Sequence, residues 1–426
     1  MSKVKALLEK NEQVSAWRIS EKATASYELF FVHRKLETVR STDTVDTQVT
    51  VYVDHDGKKG DSSFSVTASM TDKDVEEKIA SAVRRAKLVF NQPYDLPEGG
   101  EEQMELPTNM KDCDPKALAA QIADAVFAAD TVEGGSINAC EIFLYRDTAR
   151  VMNSRGVDKQ QRSWRVMIEA IPTFTDEKES VELYEDYRFT EFNPEKTIAE
   201  IASRMAEVRD RAHAVKPDTP MEINVVLQPH EIRELLRALA GSDLNYAAVY
   251  SHANLHKLGD DLQANGAGDK LTVTMKAMVP GSEQSARFDD DGASLRDTLV
   301  IENGVVKSYY GASRFGQYLG IGQPSGSLRC MEMAPGTMTD GDMKKSPYLQ
   351  CASLSGLQLD LYNDYIGGEI RLAYYFDGEK TVPVTGISMS GKLSQALSSL
   401  GLSDEIVTDG AYRGPKCLLL RGMTVL

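Results

Sequence analysis

Residues 216–223, KPDTPMEI, carry Pro217 and Pro220 at the end of a long polar helical pattern and directly ahead of the apolar run INVVL. Proline has a fixed φ and no backbone N–H, so a helix does not run through such a pair. The chain must end one element here and begin another. A length of 426 residues also exceeds what one ordinary core fills. The expected division is therefore an N-terminal α/β unit, 1–216, and a C-terminal mainly β unit, 217–426.

The two sides differ in texture. Residues 26–60 alternate apolar and polar with period two and turn at Asp56-Gly57, which predicts successive antiparallel strands. Thr71 followed by Asp74 is close to a capping box, and Val75, Ile79, Ala82, Val83 and Ala86 then share one helical face. Asp114-Pro115 starts a second helix, with Leu118, Ile122, Ala125 and Val126 inward. Further strands follow over 137–174, turning at Ser154-Arg155-Gly156, and a polar helix covers 197–214. Beyond Gly241 short strands and Gly-containing turns dominate, with Asn303-Gly304 and Asp377-Gly378 as hairpin signals. The helix at 229–240 stands as an exception there. The expected class is α+β: a mixed sheet with helices first, then mainly antiparallel β.

Several functions are disfavoured by charge and pattern. The net charge is −16, and no basic run exceeds two residues, so phosphate backbones are poor partners and no nucleic acid is expected. No stretch approaches the roughly 20 apolar residues that span a bilayer, so no membrane association is expected. The first residues lack the apolar core of an export signal. The cysteines, Cys113, Cys140, Cys330, Cys351 and Cys417, are scattered without a Cys-x-x-Cys pair and read as reduced thiols. The cytoplasm is the expected location.

The stretch QPHEIRELLRALAG, residues 228–241, opens with His230-Glu231. It is not a zincin His-Glu-x-x-His motif, because Glu234 stands where the second histidine belongs. Ile232, Leu235, Leu236 and Leu239 form a buried helical stripe, Pro229 suits the first helical position, Glu231 the positive helix end, and Gly241 a C-terminal stop. His230 and Glu234, four apart, form one weak metal candidate. His252 and His256, also four apart, form another if a helix carries them. His33, His55 and His213 stand alone and read as surface residues. Asp289-Asp290-Asp291-Gly292 lacks the spacing of a calcium loop and reads as an acidic turn. The tyrosines of SYYG and AYYF read as cross-strand packing pairs, with a peptide cleft as the alternative. No Gly-x-Ser-x-Gly elbow occurs.

Phe288–Gly320, FDDDGASLRDTLVIENGVVKSYYGASRFGQYLG, resembles the central signature of the TldD/PmbA family. So do GGEIRLAYYFDGEKTVPVTGISMSG, the strand MEINVVLQPHEI, and, in the first half, TDKDVEEKIASAVRRAK and VMNSRGV. The resemblance covers nearly the whole chain in matching order. It implies a proteolytic pair. A TldD-type subunit carries zinc on His-Glu-x-x-x-His plus a cysteine, and a PmbA-type (TldE) subunit lacks the metal. Together they cleave unfolded or leader-type peptides. Here Leu235 replaces the second motif histidine. The family's cysteine is expected near EIVTDGAYR, which has none; Cys417 lies later, in a strand-like segment, and reads as core. The resemblance therefore implies a non-catalytic PmbA/TldE-like subunit. No catalytic, metal-binding or cofactor-binding residue is expected in this chain, and zinc is expected in a TldD-like partner. A metal-dependent peptidase with an altered site, using His230, Glu231 or Glu234, is the alternative. A homodimeric peptide-binding protein without protease activity is the third reading.

Overall fold

The structure, a computed structural model, describes residues 2–177, 179–264 and 266–426. After α1 (Ser2–Lys10), three strands form an antiparallel meander: β1 (Ala16–Val32), β2 (Lys35–His55) and β3 (Lys58–Val66). Then come α2 (Asp72–Ala86), β4 (Glu101–Glu105), α3 (Pro115–Ala128), β5 (Gly135–Asn153), β6 (Asp158–Thr175), β7 (Ser180–Glu182), β8 (Glu185–Phe189) and α4 (Pro194–Ala212). The sheet order is β3-β2-β1-β5-β6-β4, with β7 and β8 also on β6. Only β4 runs parallel to its neighbour, so the sheet is mixed.

Period two decides which face is covered. Trp17, Ile19 and Leu29 of β1 point to one side and are buried. The apolar stripe of α2 packs there on Val49, Val51 and Val53. On the same side α3 and α4 cover Ile142, Leu144, Val166 and Ile168. Thr71 and Asp74 form the full capping box of α2, and Asp114 caps α3 ahead of Pro115. The Asp56-Gly57 turn places both residues at positive φ, 49° and 69°, as a tight hairpin of this type requires. α4 starts earlier than the sequence pattern indicates, because the Asn193 side chain accepts from the Lys196 N–H (3.1 Å) and Pro194 fits the first turn.

β9 (Met221–Leu227) follows the proline pair and enters an eight-stranded sheet. It lies between Leu418–Val425, antiparallel, and Tyr348–Leu354, parallel. A six-stranded sheet centred on Val273–Lys276 and Cys330–Met333 faces the same core. α5 (Pro229–Leu236) contributes Ile232, Leu235 and Leu236 to that core. It then continues as a π-helical segment, Arg237–Ser242, so Gly241 lies inside the helical run rather than beyond it. Further short helices occur at Tyr246–Tyr250, Ser313–Tyr318 and Leu393–Ser399, so 229–240 is not the sole helix of this half. Asn303-Gly304 is a two-residue turn as expected. Asp377-Gly378 also turns a hairpin, between Tyr365–Phe376 and Thr381–Val384, through a longer loop in which the Asp377 N–H donates to the Lys380 carbonyl (3.2 Å).

Each apolar cluster draws its residues from one side of the proline pair. Polar contacts join the two sides: Lys159 Nζ donates to Ser294 Oγ (2.7 Å), Tyr374 OH to Asp210 (2.9 Å), and Arg18 pairs with Asp291.

Candidate functional site

The Pro229 turn brings the first residues of α5 against the hairpin formed by Ile406–Asp409 and Tyr412–Pro415. His230, Glu231 and Arg233 meet Asp409 there. An Arg233 guanidinium nitrogen donates to His230 Nδ1 (2.9 Å), and another lies 3.9 Å from the Asp409 carboxylate. Gly410, at φ +53°, permits this approach: a Cβ there would stand 2.8 Å from the guanidinium. The His230 ring keeps an exposed edge, but its dense surroundings and then Arg233 hold its pKa below the ordinary value. Since Arg233 can only donate, His230 Nδ1 accepts, which the neutral imidazole allows.

Glu231 turns inward and is 5% exposed. Burial pushes its carboxyl up to about 7, against the lowering effect of backbone N–H groups at the helix start and of Arg204. Arg204 belongs to α4, where it pairs with Glu207 (2.6 Å) and with Glu185 of β8. Burial raises both of these carboxyls, and that of Glu200 as well. The Tyr187 hydroxyl is buried beside them, with no hydrogen-bond partner among the described residues. An acid-rich, poorly solvated seam therefore faces α5 from the N-terminal unit.

The donor set around the His-Glu pair is already committed. His230 Nδ1 is taken by Arg233, and Glu234 lies 3.2 Å from Arg237. Leu235 is fully buried among Ile232, Leu236 and Leu239. Cys417 is buried in a separate cluster with Val226, Met343, Tyr348 and Leu419. Among the described residues no three His, Cys, Asp or Glu side chains converge as a ligand set. Zinc needs three or four N, S or O donors, and these residues do not fit it.

The His252–His256 geometry envisaged from spacing does not form. The helix ends at Tyr250, His252 sits at φ +57°, and the following residues are not helical. His256 Nδ1 instead lies 2.9 Å from buried Asp243, which also accepts from the Leu255 and His256 N–H groups. Both residues serve the turn after the helix. Asp289 is likewise structural. It accepts from the Asp291, Ala293 and Ser327 N–H groups, all within 3.1 Å, and so fixes the acidic turn, whose Asp291 pairs with Arg18 of the N-terminal unit. Tyr310 is buried and donates to the Gly241 carbonyl (3.0 Å), so it ties the π-helical segment rather than lining a cleft.

Sequence reasoning missed Arg233, Arg204 and Asp409. Arg233 lies within the stretch 228–241, but no spacing there singles it out. Arg204 and Asp409 come from distant segments, and only the fold places them beside α5. A surface cavity of about 590 Å³ lies elsewhere, against the Asp56-Gly57 turn, with Lys58, Tyr94 and Gln317 in its wall. It contains His55 but none of the α5 residues.

Residues 220–426 match the family described as the PmbA/TldA metallopeptidase C-terminal domain. No curated protein matches the sequence. Solved structures share the whole fold. TldE from Thermococcus kodakarensis is 15% identical, with a TM-score of 0.80 over 99% of both chains. A candidate modulator of DNA gyrase from Bacteroides thetaiotaomicron is 16% identical, with a TM-score of 0.81 over 99% of this chain and 97% of that one. Another from Thermotoga maritima is 17% identical, with a TM-score of 0.77 over 100% and 99%. At such identities the structures speak for the fold alone. Together with the family match they lead to one conclusion: residues 220–426 belong to the PmbA/TldA metallopeptidase C-terminal domain family, and the whole chain has the fold of these structures.

Proposed function

We propose that this chain is the non-catalytic, PmbA/TldE-like subunit of a TldD-type metallopeptidase complex that processes or degrades unfolded peptides in the cytoplasm. The observation that carries this reading is Arg233. A permanently charged guanidinium lies between His230 and Asp409, the two groups best suited to hold a cation where α5 meets the 406–415 hairpin. A metal ion brought there meets an existing positive charge and a histidine nitrogen already engaged. The zinc of the complex, and the chemistry it supplies, belong in this reading to a TldD-like partner. This chain contributes walls and sheet edges to the peptide path, where an extended substrate is held mainly through its backbone.

The other reading with an observation in its favour is a metal-dependent peptidase with an altered site. Glu231, buried beside His230 with a pKa of about 7, has the proton affinity of a general base at neutral pH. Elemental mass spectrometry of the purified chain, without a metal-binding tag, separates the two. The subunit reading expects far less than one transition metal per chain and peptidase activity only after a TldD-like chain is added. One tightly held metal per chain, lost on His230→Ala, would establish the altered site instead.

A further inference from the structure

β2 extends well past its neighbour. β3 pairs with β2 only from Thr47 to His55. Among the described residues, none lies on the outer edge of β2 from Lys35 to Asp46, and every one of these residues is exposed. An open strand edge is a row of unpaired N–H and C=O groups and is a template for another strand. Natural edges are usually short, bulged, charged or proline-bearing. This one has no proline and is bulged only at Glu37, and between its charged residues it carries Val39 and Val45 at 48% and 59% exposure.

Two features set the limits of any pairing. The β1–β2 register shifts between Phe30↔Thr38 and Phe31↔Leu36, which leaves Glu37 as a bulge. At the other end β3 takes over the edge at Thr47. The regular free edge therefore runs from Thr38 to Asp46, and its midpoint is Thr42. A strand that pairs with a second copy of itself, antiparallel, does so about a two-fold axis normal to the sheet. The axis keeps each side chain on its own face and passes beside one central residue.

The side chains discriminate among the available centres. Centring on Arg40 sets Arg40 against Arg40 and Glu37 against Asp43. Centring on Ser41 sets Val39 against Asp43 and Val45 against Glu37. Centring on Asp43 sets Asp43 against itself. Centring on Thr42 sets Val39 against Val45 twice, Arg40 against Thr44, Ser41 against Asp43, Thr38 against Asp46, and Thr42 against Thr42. No like charges then face each other, and the exposed valines cover one another. This is also the register that fits the limits imposed by the bulge and by β3.

We infer that the Thr38–Asp46 edge of β2 is a self-association surface, where a second copy of this chain pairs antiparallel about Thr42 and joins the two N-terminal sheets into one. The inference does not rest on the peptidase reading; it concerns the edge alone, and metal content does not bear on it.

The test uses the full chain. Sedimentation equilibrium should give a dimer, twice the 46.9 kDa chain mass. Thr42→Cys, made in a Cys113→Ser background because Cys113 is exposed, should cross-link to a dimer under mild oxidation. Opposed Cα atoms in such a ladder lie roughly 4.5–5.5 Å apart, within the span of a disulfide. Val39→Lys with Val45→Lys sets lysine against lysine at two exposed pairs and should raise the dimer dissociation constant about tenfold or more, with the circular-dichroism spectrum unchanged. A wild-type chain that sediments as a monomer overturns the inference. So does a dimer that neither cross-links through position 42 nor responds to the double lysine variant. A monomer that instead binds a strand-forming peptide along this edge overturns it in favour of peptide docking.

Discussion

Glu231 is an acid in a place that disfavours its charge. Its ordinary pKa of 4.5 rises to about 7 through burial. The unfolded chain therefore releases this proton at lower pH than the folded one. The sign follows directly. The group's protonated form supports the fold fully below its unfolded value, and that support is lost as pH rises from 4.5 through 7. The linked stability is of order 3 kcal/mol as an upper bound. Glu231→Gln should remove this pH dependence. At pH 8 the variant should be more stable than wild type by about 1–3 kcal/mol, and at pH 4 nearly equal to it, as read from urea unfolding at the two values. A larger deficit at pH 8 would show that the carboxylate has a stabilising partner.

At the scale of elements, α5 shows how one helix is legible and its neighbourhood is not. Its apolar stripe, the proline at the first turn and the inward Leu235 all follow from spacing of 3.6 residues. Leu235→Ala should cost about 2–5 kcal/mol, as removal of a fully buried leucine does, measured by denaturant midpoint. The π-helical continuation was not legible, since Gly241 reads locally as a stop. The buried Tyr310 hydroxyl holds the Gly241 carbonyl, and this partner comes from a distant segment. His252 and His256 fail in the opposite direction. Their spacing suits a helix, but Asp243 caps a turn there and takes His256 for itself. Local periodicity carries no information about a buried acceptor arriving from elsewhere.

For the whole molecule, the Asp289–Gly292 turn of the C-terminal half is set against the sheet of the N-terminal half. Gly292, at φ +85°, brings its backbone so close that a Cβ would stand 2.8 Å from Val157. Gly57, at φ +69°, has nothing within 4 Å. Gly57→Ala should show only backbone strain, on the order of 1 kcal/mol. Gly292→Ala should cost about 1–3 kcal/mol more, because it also overpacks the junction between the two halves. Thermal unfolding of both variants checks this. Equal losses would mean that the junction yields freely.

Much of this protein was decided by the chain read along its length. Strands and helices, their caps, the Asp56-Gly57 and Asn303-Gly304 turns, the mixed character of the first half and the predominance of short strands in the second all follow from periodicity and turn chemistry. These depend on residues within a few positions of each other. The resemblance to the family was legible for the same reason, since its phrases are contiguous. Only the tertiary structure decided that Arg233 lies between His230 and Asp409, that Glu231 is buried within reach of Arg204 of α4, and that β2 outruns β3 and leaves an open edge. Those outcomes depend on burial and on which distant segments meet. Burial sets a carboxyl's charge, and no spacing in the sequence encodes it.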